Sequence, residues 1–191
     1  RYSVDPAFEC LKGCQLCKLS PVFNNQAKQV IMPVGNRNAK MAILFEAGGW
    51  NENETGYTVV GWSYQIIEWL TKLGFNELED YLRLNSALCH PPENREPTQG
   101  ELNICYKNLD YILKSMPNLK LLVLCGSIAL KQVEGNGSVL SLRSGNLGRI
   151  TNQFGKAEIY TLALRHPAYL AYIENKFGSE KATLEYLHQL S

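Results

Sequence analysis

LKLLVLCG, residues 119–126, is an apolar run broken only by Lys120 that closes on a glycine, and the helix-forming SIALKQV follows at once. A short apolar run without alternation is typical of a strand that is buried on both faces of a parallel sheet. Three similar runs lie elsewhere in the chain: KMAILFE at 40–46, YLRLNSAL at 81–88 and AEIYTLAL at 157–164. The sequence therefore predicts a sheet of four mainly parallel strands.

Helical segments separate these strands. Residues 62–73 place apolar side chains at helical spacing, and residues 98–115 begin with Thr98 and Glu101 in a capping-box pattern. We also expect a short helix at 6–19, a long polar loop at 135–148 and a helix at about 179–190. Strand and helix alternate four times, which predicts an α/β fold: a three-layer α/β/α domain with a central, mainly parallel four-stranded sheet.

The composition is that of a globular chain. Of the 191 residues, 45% are hydrophobic and 19% charged, and the formal net charge is +1. The length favours one domain over 1–191, with the cysteine-bearing segment at about 6–19 packed on it. The apolar runs are shorter than the ~18 residues of a membrane span. Free thiols without a visible export signal lead us to expect a cytoplasmic, reducing compartment and a monomer.

Four cysteines form a suggestive set. Cys14 and Cys17 make a C-x-x-C pair near the start, and Cys89 and Cys105 lie far downstream. Four converging thiolates suit zinc or an iron–sulfur cluster. Two disulfides and plain burial of small apolar side chains are the alternatives, and the spacing favours a metal or cluster. Of the remaining pair, Cys125 is expected in the core and Cys10 is a weak ligand candidate.

Polar residues follow three of the predicted strands. Glu46 ends the first and leads into Gly48-Gly49, Asn85 lies near the end of the second, and His166 follows the fourth. Each alone is more often an ordinary turn or surface residue. Because the carboxyl ends of parallel strands share one edge of a sheet, where ligands bind, the three together predict a binding site there.

The motifs resemble those of the iron–sulfur branch of the uracil-DNA glycosylase superfamily, often called family 4, over roughly residues 10–175. The family's first catalytic motif, GEAPGxxED, is similar to FEAGGWNEN here, and its loop TNVVKCRPPGNRxPT is similar to LNSALCHPPENREPT. The matching segments are C-x-x-C at 14–17, FEAGGWNEN at 45–53, GYTVVG at 56–61, LNSALCHPPENREPT at 84–98, the cysteine at 105, LCG at 124–126 and HPA at 166–168.

This resemblance implies a structural [4Fe–4S] cluster on Cys14, Cys17, Cys89 and Cys105. It also implies an enzyme whose partner is DNA and whose substrate base leaves the strand, whether single or double, and enters a pocket. The residues implied in catalysis are Asn85, which would read the pyrimidine edge, His166, which would stabilise the departing base, and Glu46 and Glu52, which would position water.

The resemblance also implies contacts to the base and to the DNA strand. The base would lie against Ala47, Gly48, Gly49 and Val59. Phosphate contacts are expected at Gly126 and Ser127, and at Arg143 and Arg149, for which a solvated surface role is equally consistent. Leu170 is placed like the family's wedge, which fills the gap that the flipped base leaves in the stack.

Two departures from the family pattern fall in the expected base pocket. Gly48 replaces the motif proline, and Val59 replaces the stacking phenylalanine. The leading motif glycine is Phe45 here, and His90 replaces an arginine after the third cysteine. A smaller side chain and a more flexible turn would enlarge the pocket. We therefore hypothesise a pyrimidine with a bulky 5-substituent as substrate, for which modified viral DNA is one source and antiviral defence the role.

Three functions remain open on the sequence. The first is a DNA glycosylase that removes uracil or a 5-modified pyrimidine and leaves an abasic site. The second is a non-catalytic iron–sulfur nucleic-acid-binding module, against which the presence of Glu46, Asn85 and His166 argues. The third is a zinc-stabilised α/β protein with an unrelated small-molecule role.

Overall fold

The computed structural model describes residues 2–167 apart from 136 and 139, together with Tyr169 and Gly178. Leu170 and the helix expected at 179–190 lie outside the described residues. The strands are β1 (Val34–Gly35), β2 (Met41–Ala47), β3 (Tyr81–Ala87), β4 (Leu121–Cys125), β5 (Leu147–Gln153) and β6 (Lys156–Leu164). The α-helices are α1 (Trp50–Thr55), α2 (Gln65–Lys72), α3 (Gln99–Lys114), α4 (Ser127–Glu134) and α5 (Leu140–Arg143), and 3₁₀ helices cover Pro6–Gly13, Trp62–Tyr64 and Pro92–Asn94.

The strands form one sheet in the order β1-β3-β2-β4-β6-β5. The four central strands are those predicted, and they run parallel to one another. The prediction of four strands was incomplete, because antiparallel β1 and β5 extend the two edges. Strand β5 begins in what was expected to be a polar loop, where α5 also lies. Its side chains are mostly exposed, so it lacks the apolar run that marks the central strands.

Helices cover both faces of the sheet, which confirms the three-layer α/β architecture. Side chains alternate between the faces: Leu44 joins a core with α3 and α4, whereas Ile43 and Phe45 join a second core with α2. Every residue of β3 is buried. Within the described residues, no helix is long and apolar enough to cross a membrane.

The capping box of α3 is formed as the sequence predicts. The Glu101 backbone N–H donates to Thr98 Oγ1 at 3.3 Å, and the Thr98 N–H donates to Glu101 Oε2 at 2.7 Å. Two local predictions differ from the structure. The N-terminal helix ends at Gly13, before the cysteine pair, and the segment 62–73 divides into a 3₁₀ turn and α2. A further short helix, α1, follows the Gly48-Gly49 turn.

Strand register places the predicted site residues along one edge. Phe45 of β2 is paired with Asn85 of β3, and Cys125 of β4 is paired with Leu164 of β6. Glu46 and His166 follow Phe45 and Leu164 within one or two residues. The carboxyl ends of the parallel strands therefore carry all three side chains to the same side of the molecule.

Candidate active site

A cleft of ≈ 610 Å³ opens at this edge of the sheet. Its size lies within the range of small-molecule sites, and it holds more than one pyrimidine ring. Most of the predicted catalytic and base-binding residues line it. The lining residues are Phe45, Glu46, Ala47, Gly48, Gly49, Trp50, Asn51, Glu52, Val59, Gly61, Ser63, Asn85, Pro91, Asn94, Arg95 and His166.

Glu46 is the penultimate residue of β2, and its side chain is partly exposed to the cleft. Burial and, to a lesser extent, the negative charge of Glu96 together raise the pKa of its carboxyl from 4.5 to about 7. A carboxyl whose pKa lies near neutrality exists in both protonation states at pH 7. It can accept a proton from water when ionised, which is the property of a general base.

Asn85 lies in the buried strand β3, with 2% of its surface exposed. Its Nδ2 amide has no hydrogen-bond partner among the described residues. A buried donor left without a partner costs about 1–3 kcal/mol. Because the side chain lines the cleft, this donor is available to a ligand that brings an acceptor.

His166 follows β6 and packs edge-on against Phe45, with ring centroids 6.5 Å apart and an interplanar angle of 87°. Burial lowers the pKa of its imidazole, and the charge of Glu52 opposes that shift. The imidazole is therefore neutral at pH 7 and carries one N–H donor. A neutral donor can stabilise an oxygen that becomes negative without giving up its proton.

Glu52 is engaged by the backbone. Its Oε2 accepts the Gly49 N–H at 3.0 Å, and its Oε1 accepts the N–H groups of Val60 and Gly61 at 3.0 and 2.8 Å. The carboxylate is buried and joins the loop after β2 to the loop that carries Val59. These contacts indicate that Glu52 braces two walls of the cleft.

Val59 has a left-handed backbone, with φ +58°, and only 3% of its surface is exposed. This conformation is strained for a β-branched residue, and such strain is concentrated at functional sites. Gly48 is buried, and a Cβ there would overlap Ile31 Cδ1 and stand 2.9 Å from Glu52 Cβ. The proline of the family motif would not fit unless Ile31 moved. Gly48 is therefore closely packed against Ile31 and Glu52.

The four cysteines predicted as ligands line one enclosed cavity. Burial, together with the charges of the other three sulfurs, raises the pKa of the Cys89 thiol, and burial raises that of Cys105 to about 11. Asn108 Nδ2 donates to Cys14 Sγ at 3.3 Å, and the Leu88 N–H donates to Cys105 Sγ at 3.5 Å. In the described part of the chain, no three His, Cys, Asp or Glu side chains form a ready group for one metal ion.

The remaining two cysteines lie as expected. Cys125 is fully buried at the end of β4, and Cys10 is exposed within the 3₁₀ helix Pro6–Gly13. Neither lines the cysteine cavity as described. The cavity is thus lined by the four cysteines of the sequence motifs and by neither of the other two.

Residues 32–190 match the sequence profile of the uracil DNA glycosylase superfamily. The chain belongs to that superfamily. The matched residues include the glycine turn, the buried strand-end amide and the strand-end histidine that line the cleft.

Three curated relatives, each a Type-4 uracil-DNA glycosylase, agree with this placement. The protein of Archaeoglobus fulgidus is 25% identical over 89% of this chain and 84% of its own length. The protein of Sulfurisphaera tokodaii is 28% identical over 91% and 78%, and that of Thermotoga maritima is 29% identical over 85% and 80%. The resemblance inferred from the motifs is confirmed, and with it the class of enzyme, a DNA N-glycosylase.

The structure places the residues expected at the DNA backbone in two different environments. Gly126 and Ser127 line a second cavity of ≈ 440 Å³, hereafter the side cavity, which shares Glu46 and His166 with the cleft. Arg143 instead holds Glu134, with Nη2 2.8 Å from Oε1. Arg149 pairs with Glu158 at 3.0 Å on the exposed face of β5. The structure thus brings Gly126 and Ser127 to the site and leaves both arginines outside it.

Sequence reasoning assigned no role in the site to two residues with ring side chains, Trp50 and His90. Trp50 lines the cleft and is half exposed, and its ring centroid lies 4.4 Å from that of His90. His90 is fully buried, and its Nδ1 donates to the carbonyl oxygen of Gly48 at 2.9 Å. His90 therefore connects the loop that carries Cys89 to the glycine turn of the superfamily motif. The aromatic residue directly after Gly48-Gly49 was the available sequence signal.

Proposed function

We propose that this chain excises a pyrimidine, uracil or a 5-modified pyrimidine, from DNA and leaves an abasic site. The observation that carries the proposal is the buried, unpartnered amide of Asn85 in the same cleft as Glu46 and a neutral His166. A flipped pyrimidine presents carbonyl oxygens at its edge, and such an oxygen is the acceptor that the Asn85 amide lacks.

Each residue has a distinct role in the proposed reaction. The bond between the sugar C1′ and the base N1 breaks, and its electron pair leaves with the base. His166 donates a hydrogen bond to the base oxygen that becomes negative. Ionised Glu46 orients the water that bonds to C1′ and accepts its proton. The base anion takes a proton from solvent, so that atoms and charge balance.

The cleft supports a substrate larger than plain uracil. Val59 presents a small aliphatic side chain where the resemblance expects a phenylalanine, and the cleft of ≈ 610 Å³ leaves room beside a pyrimidine ring. We infer that pyrimidines with a bulky 5-substituent enter it. Modified viral DNA is one source of such bases, and excision from it is a defence function.

We propose a [4Fe–4S] cluster on Cys14, Cys17, Cys89 and Cys105. Four thiols on one cavity, two of them accepting N–H hydrogen bonds, form a donor set that suits such a cluster. When bound, it would link the N-terminal segment to the loop after β3 and have no part in bond cleavage.

An excision assay tests the proposal. Oligonucleotides that carry uracil, 5-hydroxymethyl or glucosylated pyrimidines are incubated with the parent protein, then treated with alkali, which cuts at abasic sites. We expect cleavage by the parent and a loss of at least 100-fold in His166→Ala and Asn85→Ala. Binding without cleavage of any substrate would indicate the non-catalytic module. Cleavage of uracil alone would overturn the inference about bulky substituents.

The remaining features of the proposal concern the state of the protein. We propose a single domain that acts on DNA as a monomer in a reducing compartment, since its cysteines are all free in the described structure. Light scattering of the purified protein, with and without an oligonucleotide, measures the mass directly. A dimeric mass would contradict the monomer.

A further inference from the structure

Trp50 is the aromatic side chain with a large exposed surface among the described residues that line the cleft. It is 51% exposed, whereas Phe45 is 2% exposed and packs into the core. Trp50 is the first residue of α1, directly after the Gly48-Gly49 turn. Its place at the cleft follows from that short turn.

The indole of Trp50 packs against the imidazole of His90. Its ring centroid lies 4.4 Å from that of His90, at an interplanar angle of 49°. His90 is held at both ends, because its ring donates to the Gly48 carbonyl and its own carbonyl accepts the Asn24 Nδ2 amide at 2.9 Å. A ring that rests on a fixed partner loses little freedom when a ligand stacks on it.

The cleft lacks an aromatic surface where the superfamily resemblance expects one. Val59 contributes an aliphatic side chain there, and it is 3% exposed. A flipped base that has left its stack gains from a new aromatic partner. Trp50 is the described lining residue that can supply it.

We propose that Trp50 stacks on the flipped pyrimidine and replaces the aromatic contact that is missing at Val59. This inference rests on the proposed function and adds a specificity-determining residue to it. Asn85 then reads the edge of the base, and Trp50 holds its face. The expected ligand is a pyrimidine nucleotide in a DNA strand.

Binding and cleavage are measured separately to test this. The dissociation constant of a pyrimidine-bearing oligonucleotide is measured in a His166→Ala background, and the single-turnover rate at saturation is measured with His166 intact. Base–aromatic stacking contributes about 1–3 kcal/mol, so Trp50→Leu should weaken binding about 5- to 150-fold. Trp50→Phe should retain most of the affinity, and the saturated rate should change less than the affinity.

Phe23→Leu is the matched control, because Phe23 is 63% exposed and lies outside the described lining of the cleft. It should bind as the parent does. Fluorescence gives a second readout: the oligonucleotide should quench the emission of the His166→Ala protein and quench much less once Trp50→Phe is added.

Three results are decisive. Equal affinity of Trp50→Leu and its background would overturn the inference. So would a loss of affinity that disappears when the flanking nucleotides are made abasic, since Trp50 would then stack on a neighbour. If the parent cleaves no substrate but Trp50→Leu still weakens binding to the pyrimidine site, the proposed function fails and the stacking role stands.

Discussion

Gly126 and His166 approach so closely that a Cβ on residue 126 would stand 3.2 Å from His166 Cβ. Gly126 also has φ +95° and ψ 168°, a conformation that is almost confined to glycine. The end of β4 thus fixes the backbone against which the strand-end histidine rests. Any side chain at residue 126 must displace that histidine or distort the start of α4.

Gly126→Ala is therefore expected to damage both stability and catalysis. The strained backbone should cost about 1–3 kcal/mol in the free energy of unfolding. The imidazole should shift by less than the ~1 Å at which misplacement costs about 100-fold, so the single-turnover rate should fall by less than about 100-fold. Gly100→Ala is the control, since a Cβ there meets nothing within 4 Å. A Gly126→Ala protein with the parent rate would show that His166 does not need this support.

The pair of carboxyl groups at the cleft edge predicts the pH dependence of the reaction. The pKa of Glu46 is raised to about 7 by burial and by Glu96, and Glu46 acts when ionised. Activity should therefore rise with pH, with a midpoint near 7. Glu96→Gln removes one cause of the shift and leaves burial, so the midpoint should move to lower pH but stay above 4.5.

Glu93→Gln serves as the matched control, because Glu93 is an exposed carboxylate on the same loop outside the cleft lining. It should leave the midpoint unchanged. A profile that stays flat between pH 5 and 9 in the parent would contradict a role for ionised Glu46. The same midpoint in the parent and in Glu96→Gln would contradict the influence of Glu96.

Glu46 and Glu52 should respond differently to neutralisation. Because folding raises the pKa of Glu46 from 4.5 to about 7, its contribution to stability is complete below pH 4.5 and is lost as the pH rises through 7. Glu46→Gln should therefore be more stable than the parent at pH 8 but not at about pH 4. Its rate should fall by about 100-fold or more. In Glu52→Gln, an amide NH₂ group replaces one carboxylate oxygen of Glu52. It faces backbone N–H groups that need an acceptor.

Glu52→Gln should therefore lose about 1–3 kcal/mol in the free energy of unfolding, measured by urea titration. Its residual activity should keep the pH midpoint of the parent, since Glu46 is untouched. A fully stable but inactive Glu52→Gln protein would instead assign the water to Glu52. The two variants together decide which carboxylate acts in the chemistry.

The parallel core and the meeting of three polar residues could be predicted from the sequence. The buried central strand β4 consists of apolar residues without interruption, and residues that follow parallel strands must share an edge. Strand β5 could not be found in this way. Its sequence LGRITNQ buries Ile150 and leaves most of its other side chains exposed, so it resembles a polar loop.

Contacts across turns that form only in the folded chain account for what the sequence did not reveal in the site. The role of Glu52 depends on Val60 and Gly61, which approach only after folding. The pairing of Arg143 with Glu134 likewise depends on how α5 packs. A charged residue near a DNA site is easily taken for a phosphate contact when its internal partner is unknown.

The cysteine cavity predicts that the protein binds an iron–sulfur cluster, which can be measured without an excision assay. Protein purified without oxygen should contain iron and sulfide and show broad visible absorbance. Cys14→Ser should remove most of the iron and lower the melting temperature, because the N-terminal segment loses its link to Cys89 and Cys105. Cys10→Ser is the control, since Cys10 is exposed and lies outside the described cavity lining. Zinc instead of iron in the parent would refute the cluster, and equal iron in the parent and Cys14→Ser would refute the ligand assignment.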